Sequence, residues 1–501
     1  VKPHHGTTAF LLGVIALALA IGGCATVHSP HRQHLGSENA EVRNCAAFFR
    51  VLDTAVARNR VGEASPTQVA GFPYLRADRF TASLSDRAQQ NDAAFEAWLS
   101  QLAALDRDAR EFEIGNLPAA AVAGLGHAGA GALNQRAHDC RARLLEADLA
   151  MPGMRDLLVE RARVPDDYRG WQRAAGLYPL TRLPFYSGVA RWQRETEEGF
   201  LRAREGAPPT HAVVRYRPPM QSGYTRAKVA TLLARAASDP LGIPRFDDAE
   251  RERLFASFAP VFEVATAGAY DRIGRLVWNG GAAPAVDSAD PVVYRHLAYT
   301  RYHEHTLVQL IYLAWFPERP KDHAFDLLGG RLDGLIWRVT LAPDGEAVLY
   351  DTIHPCGCFH MFFPTPRAES VPAPSRLIEW AFVPEELPRM REPARLAISA
   401  QARTHYLRRV APDTGAEGVH YAFDDYDVLR GLPLANGGTR SAFRADGLVP
   451  GTQRGERFFF WPMGVPSAGA MRQWGTHATA FVGRRHFDDA DLVEKRFRII
   501  D

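Results

Sequence analysis

Lysine is nearly missing from this chain. Only Lys2, Lys228, Lys321 and Lys495 stand among 59 basic residues, and the rest are arginine. With the abundance of alanine this points to a GC-rich coding sequence and argues no function. An excess of either charge is missing too: 59 basic against 57 acidic residues leave a net charge of +2. That balance supplies no long-range field, which excludes nucleic acid as an expected partner. No internal repeat of fixed period appears, and no apolar run of about 20 uncharged residues follows Cys24, so no membrane-spanning segment is expected beyond that point. What remains, 46% hydrophobic and 23% charged over 501 residues, is the composition of an ordinary globular protein with a sizeable core divided into two or three domains.

The one long apolar stretch is residues 9–24, AFLLGVIALALAIGGC. Lys2 supplies a positive n-region, residues 9–21 a short h-region, and Gly22-Gly23 a small site before Cys24. Thirteen apolar residues are too few to span a bilayer core of roughly 30 Å. The segment resembles bacterial lipoprotein signals, with Ile21-Gly22-Gly23-Cys24 as the lipobox. The resemblance covers these first 24 residues alone. It implies cleavage before Cys24, a diacylglyceryl thioether on its sulfur and acylation, commonly by palmitate, of the new amino terminus. Stable anchoring takes more than one acyl chain, and the resemblance implies three. Ala25 stands where an aspartate would favour inner-membrane retention, so the resemblance implies the outer membrane, with the body in the periplasm. The expected partner is thus the membrane, through N-terminal lipid; any partner in the envelope is unidentified.

In such an oxidising compartment the four other cysteines form an even set. Cys45 and Cys140 lie in helix-like sequence of the first half, whereas Cys356 and Cys358 lie together far away. The economical pairing is Cys45 to Cys140.

Residues 24–40 read as a polar tether carrying His28, His31 and His34. From 41 to 240 the pattern is helical, with apolar residues at three- and four-residue steps, as in Phe95, Leu99, Leu102 and Leu105. Further helices are expected at 134–150, 153–163, 187–204 and 224–238. Between them the stretch 176–188, broken by Pro179 and Pro184, reads as a connection that cannot continue a helix, buried between helices or laid on a membrane or partner.

From 241 to 501 the texture is that of strands, with a helix at 247–258. Residues 291–316 divide at His303-Glu304-His305 into two runs of strand length and predict a β-hairpin. Residues 333–342 and 346–352, joined through Pro343-Asp344-Gly345, predict a second. Strands are also expected at 378–383, 394–409, 456–461 and 477–484, with the aromatic run Phe458-Phe459-Phe460-Trp461 in the core. The fold class is α+β: a helical N-terminal domain followed by a β-rich, mainly antiparallel C-terminal domain.

The sharpest chemical constellation is His354-Pro355-Cys356-Gly357-Cys358-Phe359-His360. Four ligand-type side chains at alternate positions fall on one face of a strand, and thiolate with imidazole suits zinc or copper. Same-face residues on an ideal strand are nearly 7 Å apart, so one ion takes all four only across a bend, which Pro355 and Gly357 can provide. His303 and His305 are candidate remote ligands. A Cys356–Cys358 disulfide and plain buried thiols are open alternatives, as is a thiolate nucleophile activated by His354 or His360 with Asp351 orienting the imidazole. The spacing C-x-C-x-H does not match haem attachment, and His303-Glu304-His305 does not match the H-E-x-x-H of zinc peptidases. Near the C-terminus Arg484 and Arg485, with His477, His486, Asp488 and Asp489, can hold an anion or pair among themselves. The expectation is a lipid-anchored binding or structural protein with a metal or disulfide site at 354–360. The alternative is an envelope hydrolase or transferase using Cys356 or Cys358 with a histidine, or a zinc-bound water.

Overall fold

The computed structural model describes residues 34–500 apart from Asn436; the signal segment, Cys24, His28 and His31 lie outside the described residues. The first half is mainly helical and the second mainly stranded, an α+β fold. Helix α1 (Ala40–Asn59) begins where the Asn39 side chain accepts the backbone N–H groups of Glu41 and Val42. It packs with α2 (Asp92–Gly115) and α3 (Ala130–Leu149) around Phe49, Phe72, Tyr74, Phe95, Trp98, Leu102 and Leu144. Cys45 of α1 and Cys140 of α3 stand at disulfide distance, their Cα atoms 4.9 Å apart. His34, at the end of the expected tether, is buried with its Nε2 2.8 Å from Asp148.

Two larger sheets follow. Their strands are β1 (Val213–Arg217), β2 (Val261–Ala265), β3 (Val292–Tyr302), β4 (His305–Arg319), β5 (Gly330–Leu341), β6 (Ala347–Ile353), β7 (Met361–Pro364), β8 (Leu396–Ala400), β9 (Leu407–Pro412), β10 (Val419–His420) and β11 (Ala422–Asp425). The first sheet has the order β7-β6-β5-β4-β3-β11, antiparallel except for the parallel β3–β11 pair. The second has the order β9-β8-β2-β1-β10. Strand β1 falls inside the expected helical half yet is hydrogen-bonded in that sheet. Both predicted hairpins are present: Tyr302 pairs with His305 across the first turn, and β5 and β6 meet around Pro343-Asp344-Gly345.

The six-stranded sheet is buried on both faces, which explains why β4 reads as an almost unbroken apolar run. Val308, Leu310, Tyr312, Ala314 and Phe316 enter a core shared with the second sheet. Ile311, Leu313 and Trp315 enter a separate core on the other face, with Tyr294, Ile336 and Met471. Strand period two sorts them.

Several expected elements differ. Residues 176–188 do not break the chain: α4 runs from Tyr178 to Arg204, with Pro179 in its first turn and Pro184 inside. Proline at a first turn removes only an N–H that is orphaned anyway. Pro184 leaves the Leu180 carbonyl without its donor, but Leu180 is 66% exposed and water reaches it. The expected strand 456–461 is a short helix, Glu456–Phe459, followed by a 3-10 turn. Phe458 and Phe459 are not core, being 72% and 61% exposed, whereas Phe460 packs against a small core with Val465 and Ala478. Residues 378–383 and 477–484 are irregular, and 394–409 is interrupted between β8 and β9.

Candidate functional site

The segment 354–360 is not a strand. It is the loop joining β6 to β7, closed by the Gly357 N–H donating to the His354 carbonyl at 2.8 Å and the His354 N–H donating to the Cys358 carbonyl at 3.0 Å. Pro355 stops β6, and Gly357 turns the chain at φ +86°, where a Cβ would stand 2.7 Å from the Ala478 carbonyl oxygen. Arg472 pins the loop, its backbone N–H on the Pro355 carbonyl at 2.9 Å and its Nε on the Cys356 carbonyl at 3.3 Å.

This geometry separates the two histidines. His354 Nδ1 lies 3.1 Å from Asp333 of β5, and His360 Nε2 lies 2.8 Å from Asp351 of β6. Asp333 shares a strand face with Leu335, Trp337 and Val339, whereas Asp351 sits opposite Arg338, on the other face. The carboxylates that hold the two imidazoles therefore project from opposite sides of the sheet, and His354, Cys356, Cys358 and His360 do not form one ligand set. Among the described residues no three histidine, cysteine, aspartate or glutamate side chains converge to hold an ion. His303 and His305 occupy the tip of the β3–β4 hairpin as expected, where His303 is exposed beside Glu494.

Cys356 and Cys358 are buried free thiols, with the Cys358 N–H 3.4 Å from the Cys356 sulfur. The hydrogen bond with Cys356, then burial, pushes the Cys358 thiol well above its usual range. A thiol held protonated is a poor nucleophile and a poor metal ligand. Burial holds both histidines below the usual imidazole range, against the pull of their carboxylates, His360 at about 3. Among the described residues His354 Nε2 and His360 Nδ1 have no hydrogen-bond partner.

Around His354 a buried polar chain runs along one face of the sheet. Burial favours the neutral form of Asp333, but His354 and Arg454 outweigh it and hold the carboxyl well below its ordinary range. His405 lies between Asp333, 2.8 Å from Nδ1, and Asp271, 3.2 Å from Nε2, and is stacked on Phe316. Burial disfavours its charge, yet the two carboxylates raise it above the usual range. The opposite pair is tighter: Arg338 grips Asp351 with Nε at 2.8 Å and Nη2 at 2.5 Å.

An opening lies beside this loop. Cys358, Phe359 and His360 form one wall of a cavity of about 470 Å³. Pro184, Phe185, Gly188 and Trp192 of α4 form another, and Trp380, Phe382, Tyr406, Phe460 and Phe481 complete an aromatic lining. The rings contact one another: Trp192 meets Phe359 and Phe382 at 5.5 and 5.2 Å, and Phe460 stacks on Phe481 at 4.0 Å. Polar groups reach the same space from Glu379, Glu456, Thr479 and Arg485. Burial raises Glu456 to about 7 against the opposing pull of Arg454 and Arg319. Glu379, raised by burial as well, accepts the N–H groups of Phe481 and Val482 at 2.8 and 2.7 Å.

Of the C-terminal candidates, Arg485 is buried beside this cavity, whereas Arg484 is exposed on Asp166. Asp488 and Asp489 face Arg79, His486 lies among Asp166, Asp167 and Asp489, and His477 is buried. They form no joint anion site. Glu379 and Glu456 carried no sequence signal, because each stands alone in its segment and gains its environment only from burial. Comparison with known proteins returns no matching family, no matching curated protein and no matching solved structure.

Proposed function

We propose that this chain is a lipid-anchored protein of the bacterial envelope that binds an apolar ligand in the aromatic cavity beside the 354–360 loop. The observation that carries the reading is the cavity itself: about 470 Å³, walled by tryptophan, phenylalanine and tyrosine with a few polar groups at one side. Ligand sites have this size and composition. The approach is apolar as well, since Leu180 and Leu183 of α4 and Phe458 beside Phe459 are exposed. Such surface favours contact with amphiphiles, which suits a protein tethered at a membrane. The lipobox supports the location. Buried free thiols, and histidines held by carboxylates on opposite sheet faces, make the 354–360 loop a structural wall of the site.

The test is titration with N-phenyl-1-naphthylamine, which fluoresces in apolar surroundings. Wild type is expected to bind one equivalent saturably. Gly188→Trp, whose new Cβ meets no atom within 4 Å, places an indole at the cavity and is expected to weaken binding at least tenfold. Absence of saturable binding, or equal binding by both proteins, would overturn the reading.

A further inference from the structure

Among the described residues Glu456 stands apart from the other charged groups around the cavity. Arg485 spends its donors internally: Nε on Thr479 Oγ1 at 2.9 Å, Nη1 on the carbonyls of Trp380 and Glu379 at 2.5 and 3.3 Å, and Nη2 on the Thr479 carbonyl at 3.2 Å. Arg319 donates to the Tyr406 hydroxyl at 2.9 Å, and Arg454 donates to the Leu332 carbonyl at 2.9 Å with Asp333 at 3.5 Å. His405 sits between two carboxylates. Glu456 remains. It is 5% exposed, lines the cavity, and its carboxylate makes no hydrogen bond and no ion pair within 4 Å among the described residues.

A buried carboxylate without a partner is expensive, and the expense falls when a cation or donor arrives. The walls of the cavity are aromatic rings, whose faces attract cations. An anionic head group would meet the side chains of Glu456 and Glu379.

We infer that the cavity takes an apolar molecule bearing a protonated amine, its chain between the aromatic walls and its ammonium group on the Glu456 carboxylate. This rests on the reading of the cavity as a ligand site and names the class of ligand. The experiment compares octylammonium, octanol and octanoate, equal in chain length, by Trp fluorescence and calorimetry at pH 8 on wild type and Glu456→Gln. The wild type is expected to bind octylammonium at least tenfold tighter than octanol, with octanoate weakest. Glu456→Gln is expected to bring octylammonium down to the affinity of octanol. Octanoate equal to or tighter than octylammonium would overturn the inference, as would octanol matching octylammonium on wild type; in either case the cavity reading survives. Failure of all three to bind would overturn both. If Glu456→Gln proves unfolded by circular dichroism, the ranking on wild type alone decides.

Discussion

At the scale of single residues the structure makes definite claims about proton and thiol chemistry. Alkylation of the denatured protein without reductant is expected to modify two cysteines, Cys356 and Cys358, because Cys45 and Cys140 are paired. Native protein is expected to resist the same reagent, since both thiols are buried. Intact mass reads both results, and four modifications or none would contradict them. Removing the pair by Cys45→Ser with Cys140→Ser should cost about 4 to 5 kcal/mol in the chain-entropy account of a loop this long, measured by urea denaturation. Glu456 makes a prediction in pH. Its carboxyl, raised to about 7 from about 4.5 by burial, holds its proton more tightly folded than unfolded. The fold therefore loses stability as pH rises between these values, and the loss is complete above 7. The neighbouring Arg319, raised further above its usual range, and Asp326 and Asp333, held below theirs, keep their charges across that window. Glu456→Gln is expected to melt a few degrees above wild type at pH 8 and alongside it at pH 5. Equal melting temperatures at pH 8 would show that the carboxyl ionises without cost.

At the scale of elements, the loop 354–360 is held by its turn geometry. Gly357→Ala introduces a side chain at φ +86° and drives it against the Ala478 carbonyl. It should destabilise by about 2 kcal/mol or more, seen as a fall in the urea midpoint. A loss below about 0.5 kcal/mol would mean that the loop relaxes freely. The same loop shows where sequence reasoning stops. The two hairpins were legible because Val, Tyr, Ile and Trp fill runs of strand length on either side of polar turns, and the long helices because their apolar spacing is regular. The Cys45–Cys140 pairing was legible from the distance between the two cysteine groups. The alternation of His354, Cys356, Cys358 and His360 misled, because period two carries meaning only if the segment is extended, and Pro355 with Gly357 close it into a turn. Pro184 misled in the opposite direction: its cost falls on a carbonyl that solvent satisfies. Phe458 and Phe459 carry a pattern shared by buried strands and by the rims of apolar cavities. The aromatic cavity has no local signature at all, since its walls come from residues 184–193, 328, 358–382, 406 and 456–485.

At the scale of the whole molecule the account joins a membrane address to a ligand cavity. The described residues contain no helix long and apolar enough to cross a membrane, so attachment in this account rests on Cys24. Labelled palmitate is expected to enter the wild type and not Cys24→Ala, and equal labelling would remove the anchor. The cavity sits where the six-stranded sheet, α4 and the C-terminal loops meet, and its aromatic walls suit alkyl chains, each added methylene contributing about 0.8 kcal/mol until the space is filled. The most direct measurement is a crystal structure of the protein soaked with 8-bromooctylammonium, using anomalous scattering to locate bromine. The account predicts one bromine peak among Trp192, Phe382 and Phe460, with the ammonium nitrogen against Glu456. Bromine peaks confined to the outer surface, with the cavity holding only water, would contradict it.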